Sequence, residues 1–484
     1  MPSHRLRMRS LLVLSTAVTV ALMTAGCSSS DPDGSAESAS TTTAGSTPAS
    51  TDLAVEWTDG YESPGTPAEY NKVGVLKVGD RDAPNVLILE PGTSGGSAYF
   101  VPLAEDIVKA DPSWQIWSIE RRQNLVEDQS RLNEFKDGDI AAADLFNYYL
   151  GYLRDPAVTD HFQTVPNDTV AFAKQWGVEV AVEDLRVVID QAAELDGKVV
   201  LGGHSLGGSL VTAFATWDFD GEPGADQLDG LVYIDGGSRP TAVTETQATD
   251  ALNALNATDA SPWLSFGGIT APYAGVFMAT GSSTALGDPD TPSLGQTSGL
   301  LPADIVPPIP ATNQGQYGYA LNVGTSPASL SAAQGHLGTG LNPDGTWNGA
   351  GAISPIDRYA TMFSGAGITD TDGAEWYFPQ RLTNDTQVVA NGNANPAQTV
   401  LDVHATMGAE LPETLFIYAF GASLGGAGVT TTAQLLADQS DIPADRLTLV
   451  DRSGTYAHND PAGAAPDNEF LSALLPFLET VADS

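Results

Sequence analysis

Apolar and polar positions alternate between two kinds of pattern along residues 80–240. Residues 85–90 (NVLILE) form a short, nearly continuous apolar run, which predicts a buried strand. The run ends in Pro91-Gly92-Thr93-Ser94-Gly95-Gly96, a turn-rich loop. Residues 99–110 then place Phe100, Leu103, Ala104, Ile107 and Val108 at helical spacing. The alternation repeats. Residues 114–119 (WQIWSI) read as a strand that leads into the polar cluster Glu120-Arg121-Arg122-Gln123-Asn124. Residues 124–177 are less regular and carry Phe146, Tyr148, Tyr149 and Tyr152. Residues 180–195 put Val182, Leu185, Val188, Ile189 and Ala192 on one helix face. A strand over 198–202 (KVVLG), a helix over 209–217 and a strand over 230–234 (GLVYI) follow. Strands alternating with amphipathic helices predict an α/β protein with a doubly wound, mostly parallel sheet covered on both faces.

The pattern changes after residue 240. Residues 241–410 are rich in Gly, Pro, Asn, Thr and Ala, with scattered aromatics, and read as a large cap insertion. Most of those aromatics are expected to form the insertion's own core. Trp376-Tyr377-Phe378 is the stretch best suited to line an apolar pocket, because three consecutive aromatics cannot all point into one core. Asp370-Thr371-Asp372-Gly373 has the start of a calcium loop but lacks most of the remaining ligands, and reads as a turn. Strand signals return at 414–420 and 446–451 (RLTLVD). The core is thus expected in two parts, 52–240 and 411–484.

The first residues change the picture of where the chain works. Arg5, Arg7 and Arg9 precede an apolar run over 11–23, then Thr24, Ala25, Gly26 and Cys27. A basic start, a short apolar stretch and small residues make residues 1–26 a secretory signal peptide. The run is short for a bilayer span. With its cysteine directly after the small residues, this segment resembles a bacterial lipoprotein signal, except that Thr24 stands where an aliphatic residue is usual. The resemblance implies that Cys27 receives lipid and becomes the new N-terminus. Ordinary cleavage nearby is the alternative. Residues 27–51 are mainly Ser, Thr, Ala, Gly, Asp and Pro, which suits a disordered tether. The expected location is the outer face of the cell membrane, lipid-anchored, or the medium beyond it.

Charge and composition then exclude classes. The chain has 484 residues, with 20 Lys+Arg against 60 Asp+Glu and a formal charge of −40. Scarce basic residues argue against nucleic-acid binding and against electrostatic docking on anionic lipid, so membrane contact would come only through Cys27. A single cysteine excludes an intramolecular disulfide framework and a Cys-based zinc cluster. An apolar fraction of 42% fits a globular domain large enough for a sizeable core.

The chemistry concentrates at Gly203-His204-Ser205-Leu206-Gly207, which follows an apolar strand and precedes a helix. A serine on such a sharp turn needs neighbours without Cβ atoms, and the helix N-terminus beyond it favours developing negative charge. The backbone NH of Leu206 is then one oxyanion donor. The second is expected in the loop after residue 90, from Thr93 with Ser94 as the alternative. A second copy of the pattern, Gly421-Ala422-Ser423-Leu424-Gly425, also follows an apolar run. Too little chain follows it to present both an acid and a histidine, so it reads as a glycine-rich turn closing a strand.

A serine hydroxyl needs a neighbouring base near pH 7. His4 lies in the leader, His204 sits inside the turn, His161 precedes the serine, and His336 and His404 fall in the insertion. His458 lies in the loop after the final strand and is the expected base. The acid that orients it is expected at Asp235, directly after the strand over 230–234, with Asp438 or Asp441 as alternatives. Asp235 could instead be a turn residue.

In this order the residues resemble the α/β-hydrolase superfamily. The resemblance covers roughly 80–240 and 410–482 and rests on Gly-His-Ser-Leu-Gly-Gly with a late Tyr-x-His-x-Asp. The segment 117–128 (WSIERRQNLVED) is similar to a loop of uncharacterised bacterial members. The oxyanion loop departs from the family, reading Glu90-Pro91-Gly92 where many members have His-Gly. The resemblance implies a serine hydrolase, with carboxylic esters, small or lipid-like, as the expected substrates and no metal or organic cofactor. A non-catalytic surface lipoprotein binding a ligand or partner on the same fold, and a serine peptidase or amidase, are the alternatives.

Overall fold

The computed structural model of the chain describes residues 53–266 and 268–484. The leader, Cys27 and the tether lie outside the described residues.

Among the described residues, one sheet of eight strands organises the fold. The strands are β1 (Val55–Asp59), β2 (Lys72–Val78), β3 (Asn85–Glu90), β4 (Trp114–Glu120), β5 (Val199–His204), β6 (Gly230–Ile234), β7 (Phe416–Gly421) and β8 (Leu447–Asp451). Their spatial order is β1-β2-β4-β3-β5-β6-β7-β8. β2 runs antiparallel to both β1 and β4, and every other pairing is parallel.

Strand periodicity sorts the core into two layers. Val86 and Ile88 face one side with Leu201, Leu231 and Ile417. Helices α2 (Val178–Ala193) and α3 (Leu206–Ala215) cover that side. Leu87 and Leu89 face the other with Val200, Val232 and Tyr418, beneath α1 (Val101–Ala110) and the last helix (Glu469–Ala482). Both faces are buried, which explains why β3, β5 and β6 read as unbroken apolar runs.

The segment 241–410 does not stand apart from the core. Phe378, Leu382, Val388 and Leu401 join the α2/α3 layer, whereas Tyr317, Tyr359 and Phe363 join the α1 layer. A third cluster combines it with the irregular segment after β4. There Tyr149, Phe162 and Trp176 pack against Trp263, Trp376 and Tyr377. Trp376, Tyr377 and Phe378 are all buried, so these three aromatics are structural. The expectation that they line an open pocket is corrected: the chain twists between them, sending two into one core and the third into another.

Candidate active site

The C-terminal ends of β3, β5, β6 and β8 converge on one edge of the sheet, where open α/β sheets place their ligands. Ser205 stands between β5 and α3 with φ 56° and ψ −123°, a conformation rare for a side chain bearing a Cβ. The flanking glycines permit it. A Cβ on Gly203 would lie 2.3 Å from the carbonyl carbon of Gly207, and one on Gly207 would lie 2.1 Å from Glu90 O. Ser205 and His458 line the same cavity, about 210 Å³ in volume, with Gly92, Thr93 and Leu424. Ser205 Oγ has no hydrogen-bond partner among the described residues.

His458 is buried, and its Nδ1 lies 2.6 Å from Asp235 Oδ2. A proton on Nδ1 donated to that carboxylate leaves Nε2 free to accept one. Asp235 follows β6 and has φ 43°. Four backbone amides surround its carboxylate. Ala422 N, Gly425 N and Gly426 N donate to Oδ1 at 2.7, 2.9 and 3.1 Å, and Leu424 N donates to Oδ2 at 3.1 Å. Burial works against the charge, but His458 and these amides outweigh it and hold the carboxyl below its ordinary range. The second Gly-x-Ser-x-Gly is therefore the cradle of this acid. Ser423 itself is exposed.

The other candidates lie elsewhere. Asp438 is exposed and accepts from Gln434, and Asp441 is exposed at a helix end. His161 stacks on Tyr152, and His404 sits beside Asp402. His204 is buried against Tyr99, with its Nε2 2.9 Å from His458 O. Burial first, then the nearby His458, pushes His204 down to about 3, so it stays neutral and acts as a prop for the His458 loop.

The loop after β3 lies against the serine, since a Cβ on Gly92 would approach Ser205 Cβ to 2.8 Å. The NH groups of Thr93 and Leu206 are left without an acceptor among the described residues. Arg121, at the end of β4, fixes this loop from below. Its guanidinium donates to Pro91 O, to Gly92 O and Gly95 O at 3.3 Å each, and to Glu90 Oε1 at 2.6 Å. Glu375, from the insertion, accepts from the same guanidinium at 3.1 Å and donates its backbone NH to Ser94 O at 2.9 Å. Burial raises both glutamates, Glu375 to about 8, with Arg121 opposing the shift.

Asp460 braces the loop that carries His458 in a similar way. Its carboxylate accepts from Ala457 N at 2.7 Å, Ser354 Oγ at 2.7 Å and His336 N at 2.9 Å, and its Oδ2 lies 2.6 Å from His336 Nδ1. The sequence assigned no role to Arg121 or Asp460: Arg121 lay in the polar cluster at the end of β4 and Asp460 closed the late Tyr-x-His-x-Asp, and neither pattern names the partners these side chains take.

No family model matches the chain, and no curated protein matches it. Solved structures overlie most of its length at low identity. A candidate lipase from Sulfolobus solfataricus is 13% identical, covering 88% of this chain and 93% of its own, with a TM-score of 0.44. Epoxide hydrolase A from Mycobacterium thermoresistibile is 13% identical over 88% and 98%, with a TM-score of 0.41. A thermophilic esterase from Thermogutta terrifontis is 11% identical over 88% and 99%, with a TM-score of 0.37. The strand order and the strand–turn–helix at Ser205 place this chain in the α/β-hydrolase fold.

Proposed function

We propose that this protein is a serine hydrolase of carboxylic esters, with Ser205 as nucleophile, His458 as base and Asp235 as the acid that orients it. The observation that carries this reading is the Asp235–His458 pair, 2.6 Å apart, at the cavity that Ser205 also lines. His458 Nε2 takes the Ser205 proton as Oγ attacks the ester carbonyl. The NH groups of Leu206 and Thr93 stabilise the resulting oxyanion. The tetrahedral intermediate collapses, and His458 returns the proton to the departing alcohol. Water then attacks the acyl-enzyme with His458 again as base, releasing the acid and restoring Ser205. Every proton in this cycle passes through the His458 ring, from Ser205 Oγ to the departing alcohol and from water back to Ser205 Oγ.

The protein is further proposed to be exported and lipid-anchored through Cys27, so that the site works outside the cell. A fluorophosphonate probe tests the chemistry. Labelling should be lost in Ser205→Ala and kept in Ser423→Ala. Absence of labelling in the unaltered protein would instead favour a binding protein built on the same fold. Release from the membrane fraction in Cys27→Ala tests the anchor.

A further inference from the structure

Beside the catalytic cavity lies a larger chamber of about 410 Å³, within the range of roughly 300–1,000 Å³ typical of small-molecule sites. About half of its wall comes from three helices, and the rest from connecting segments between 288 and 305 and from residues such as Phe266, Leu330 and Ala333. One helix is Tyr273–Gly287, another Asn313–Leu321, and the third Ala142–Tyr149 with Leu150 beyond it. Tyr273–Gly287 has two faces with different duties. Gly275, Val276 and Ala279 are buried in packing, and a Cβ on Gly275 would sit 2.7 Å from Trp376 Cα. Phe277, Met278, Gly281 and Thr284 fall one helical turn apart on the other side and line the chamber. An apolar stripe of half-buried residues lining a partly open concavity of this size marks a place for an apolar guest.

Phe266, Ala274, Met278 and Ala333 line both this chamber and the cavity holding Ser205 and His458. The two volumes therefore share a wall in which Ala274 and Ala333 are small and Met278 can change rotamer at low cost. We infer that the chamber receives a long hydrocarbon portion of the substrate, so that the enzyme prefers neutral esters with one long apolar half over short ones. This inference rests on the ester-hydrolase reading and deepens it. Neutrality follows from the lining, which is mostly apolar and would leave a charged group without partners.

Filling the chamber without touching the catalytic cavity tests the assignment. Gly281 lines only the chamber, and a Cβ there would meet Tyr317 at an ordinary 3.5 Å. Ala320→Phe on the facing helix is a second filling variant, in case Gly281→Leu fails to fold. The substrates are p-nitrophenyl acetate against p-nitrophenyl decanoate, and methyl acetate against decyl acetate, so that the chain is placed on either side of the ester. The unaltered protein should show kcat/KM at least tenfold higher for one long member than for its short partner. Either filling variant should remove that advantage and leave acetate turnover within twofold. Equal rates for long and short members in both pairs would overturn the chamber, as would filling variants that slow acetate as much as decanoate. Titration of 1-decanol into Ser205→Ala separates the two proposals, because it needs no turnover. Fluorophosphonate labelling of Ser205 without 1-decanol binding sinks the chamber and keeps the hydrolase. Binding of 1-decanol that Gly281→Leu abolishes, in a protein that is never labelled, keeps the chamber as an apolar ligand site and sinks the hydrolase.

Discussion

The same five-residue pattern occurs twice, each time after a buried strand, and the two copies end in opposite ways. After β5 the chain turns at Ser205 itself, and the helix starts at the next residue. After β7 the chain continues past Ser423, and the helix Ala427–Gln439 starts only beyond Gly426. Gly426 has φ 55° and ψ −146°, close to the strained values of Ser205. The tight turn thus falls on a residue with no side chain, three positions beyond the serine. One copy presents a hydroxyl to the cavity. The other presents amides to Asp235. What decides between them is where the strand breaks, and Gly-x-Ser-x-Gly does not encode that by itself.

The sharpest way to break this contrast is to delete both hydroxyls separately. Ser205→Ala should lower kcat by roughly 10⁴-fold or more, as for other activated serines. Ser423→Ala should leave kcat within about twofold, since an exposed surface change rarely disturbs more than local contacts. Steady-state hydrolysis of a p-nitrophenyl ester reads both. Comparable losses in the two variants would make the second copy catalytic.

The next test asks whether the amide cradle matters through its carboxylate. Asp235→Asn keeps the shape but removes the charge that fixes the His458 tautomer. It should cost roughly 10³–10⁴-fold in kcat, with a smaller change in KM. Single-turnover acylation with an ester checks that the loss lies in chemistry. A loss confined to KM would mean that Asp235 only holds the loop.

A third prediction extends the contrast to the loop after β3, which is held by a side chain where Asp235 is held by backbone. Arg121→Lys keeps a cation but loses the fork that reaches three carbonyls. Misplacing one oxyanion donor should lower kcat by roughly 10–100-fold, below the cost of deleting it outright. Retained labelling of Ser205 by a fluorophosphonate, with slowed ester turnover, would be the signature. Unchanged kcat would show that Gly92 and its neighbours hold their place without Arg121.

These cases also show what was legible in the chain. β3, β5 and β6 were readable because strands buried on both faces leave unbroken apolar runs. β1 and β2 were not predicted. β1 is a short edge strand with a mixed burial pattern, and β2 is interrupted by Gly74 and bounded by lysine. The places of Ser205, Asp235 and His458 at strand ends were readable as well, since each follows an apolar run directly or within a short loop. The role of Gly421–Gly426 was hidden because it acts through NH groups, which every non-proline residue has. Arg121 was hidden for a related reason. Its partners are carbonyls of the β3 loop and a glutamate 254 positions away. The chamber was hidden most fully, because an empty volume leaves no mark on composition.

Two buried carboxyls carry the contrast from catalysis to stability. Asp235, with four amides and an imidazole, is held below its usual range despite burial. Glu120, at the end of β4, is fully buried and accepts from Ser97 and Thr371 through one oxygen, while Oε1 has no partner. Burial therefore wins there and pushes it up to about 7. The two groups tilt stability with opposite signs. Asp235 contributes above its unfolded value near pH 4, and that contribution fades as pH falls through its lower folded value. Glu120 binds its proton more tightly when folded, so its contribution is complete below about pH 4.5 and is lost as pH rises towards about 7. Thermal melts between pH 5 and pH 8 should then show a falling midpoint, and Glu120→Gln should flatten the slope. The change is on the order of 2–3 kcal/mol across that window. Asp235→Asn should alter the slope below about pH 4, where the carboxylate would otherwise take up its proton. A Glu120→Gln protein with an unaltered slope would mean that Glu120 is ionised in the folded state, and that two hydroxyls and the Ser97 amide suffice where Asp235 has four amides.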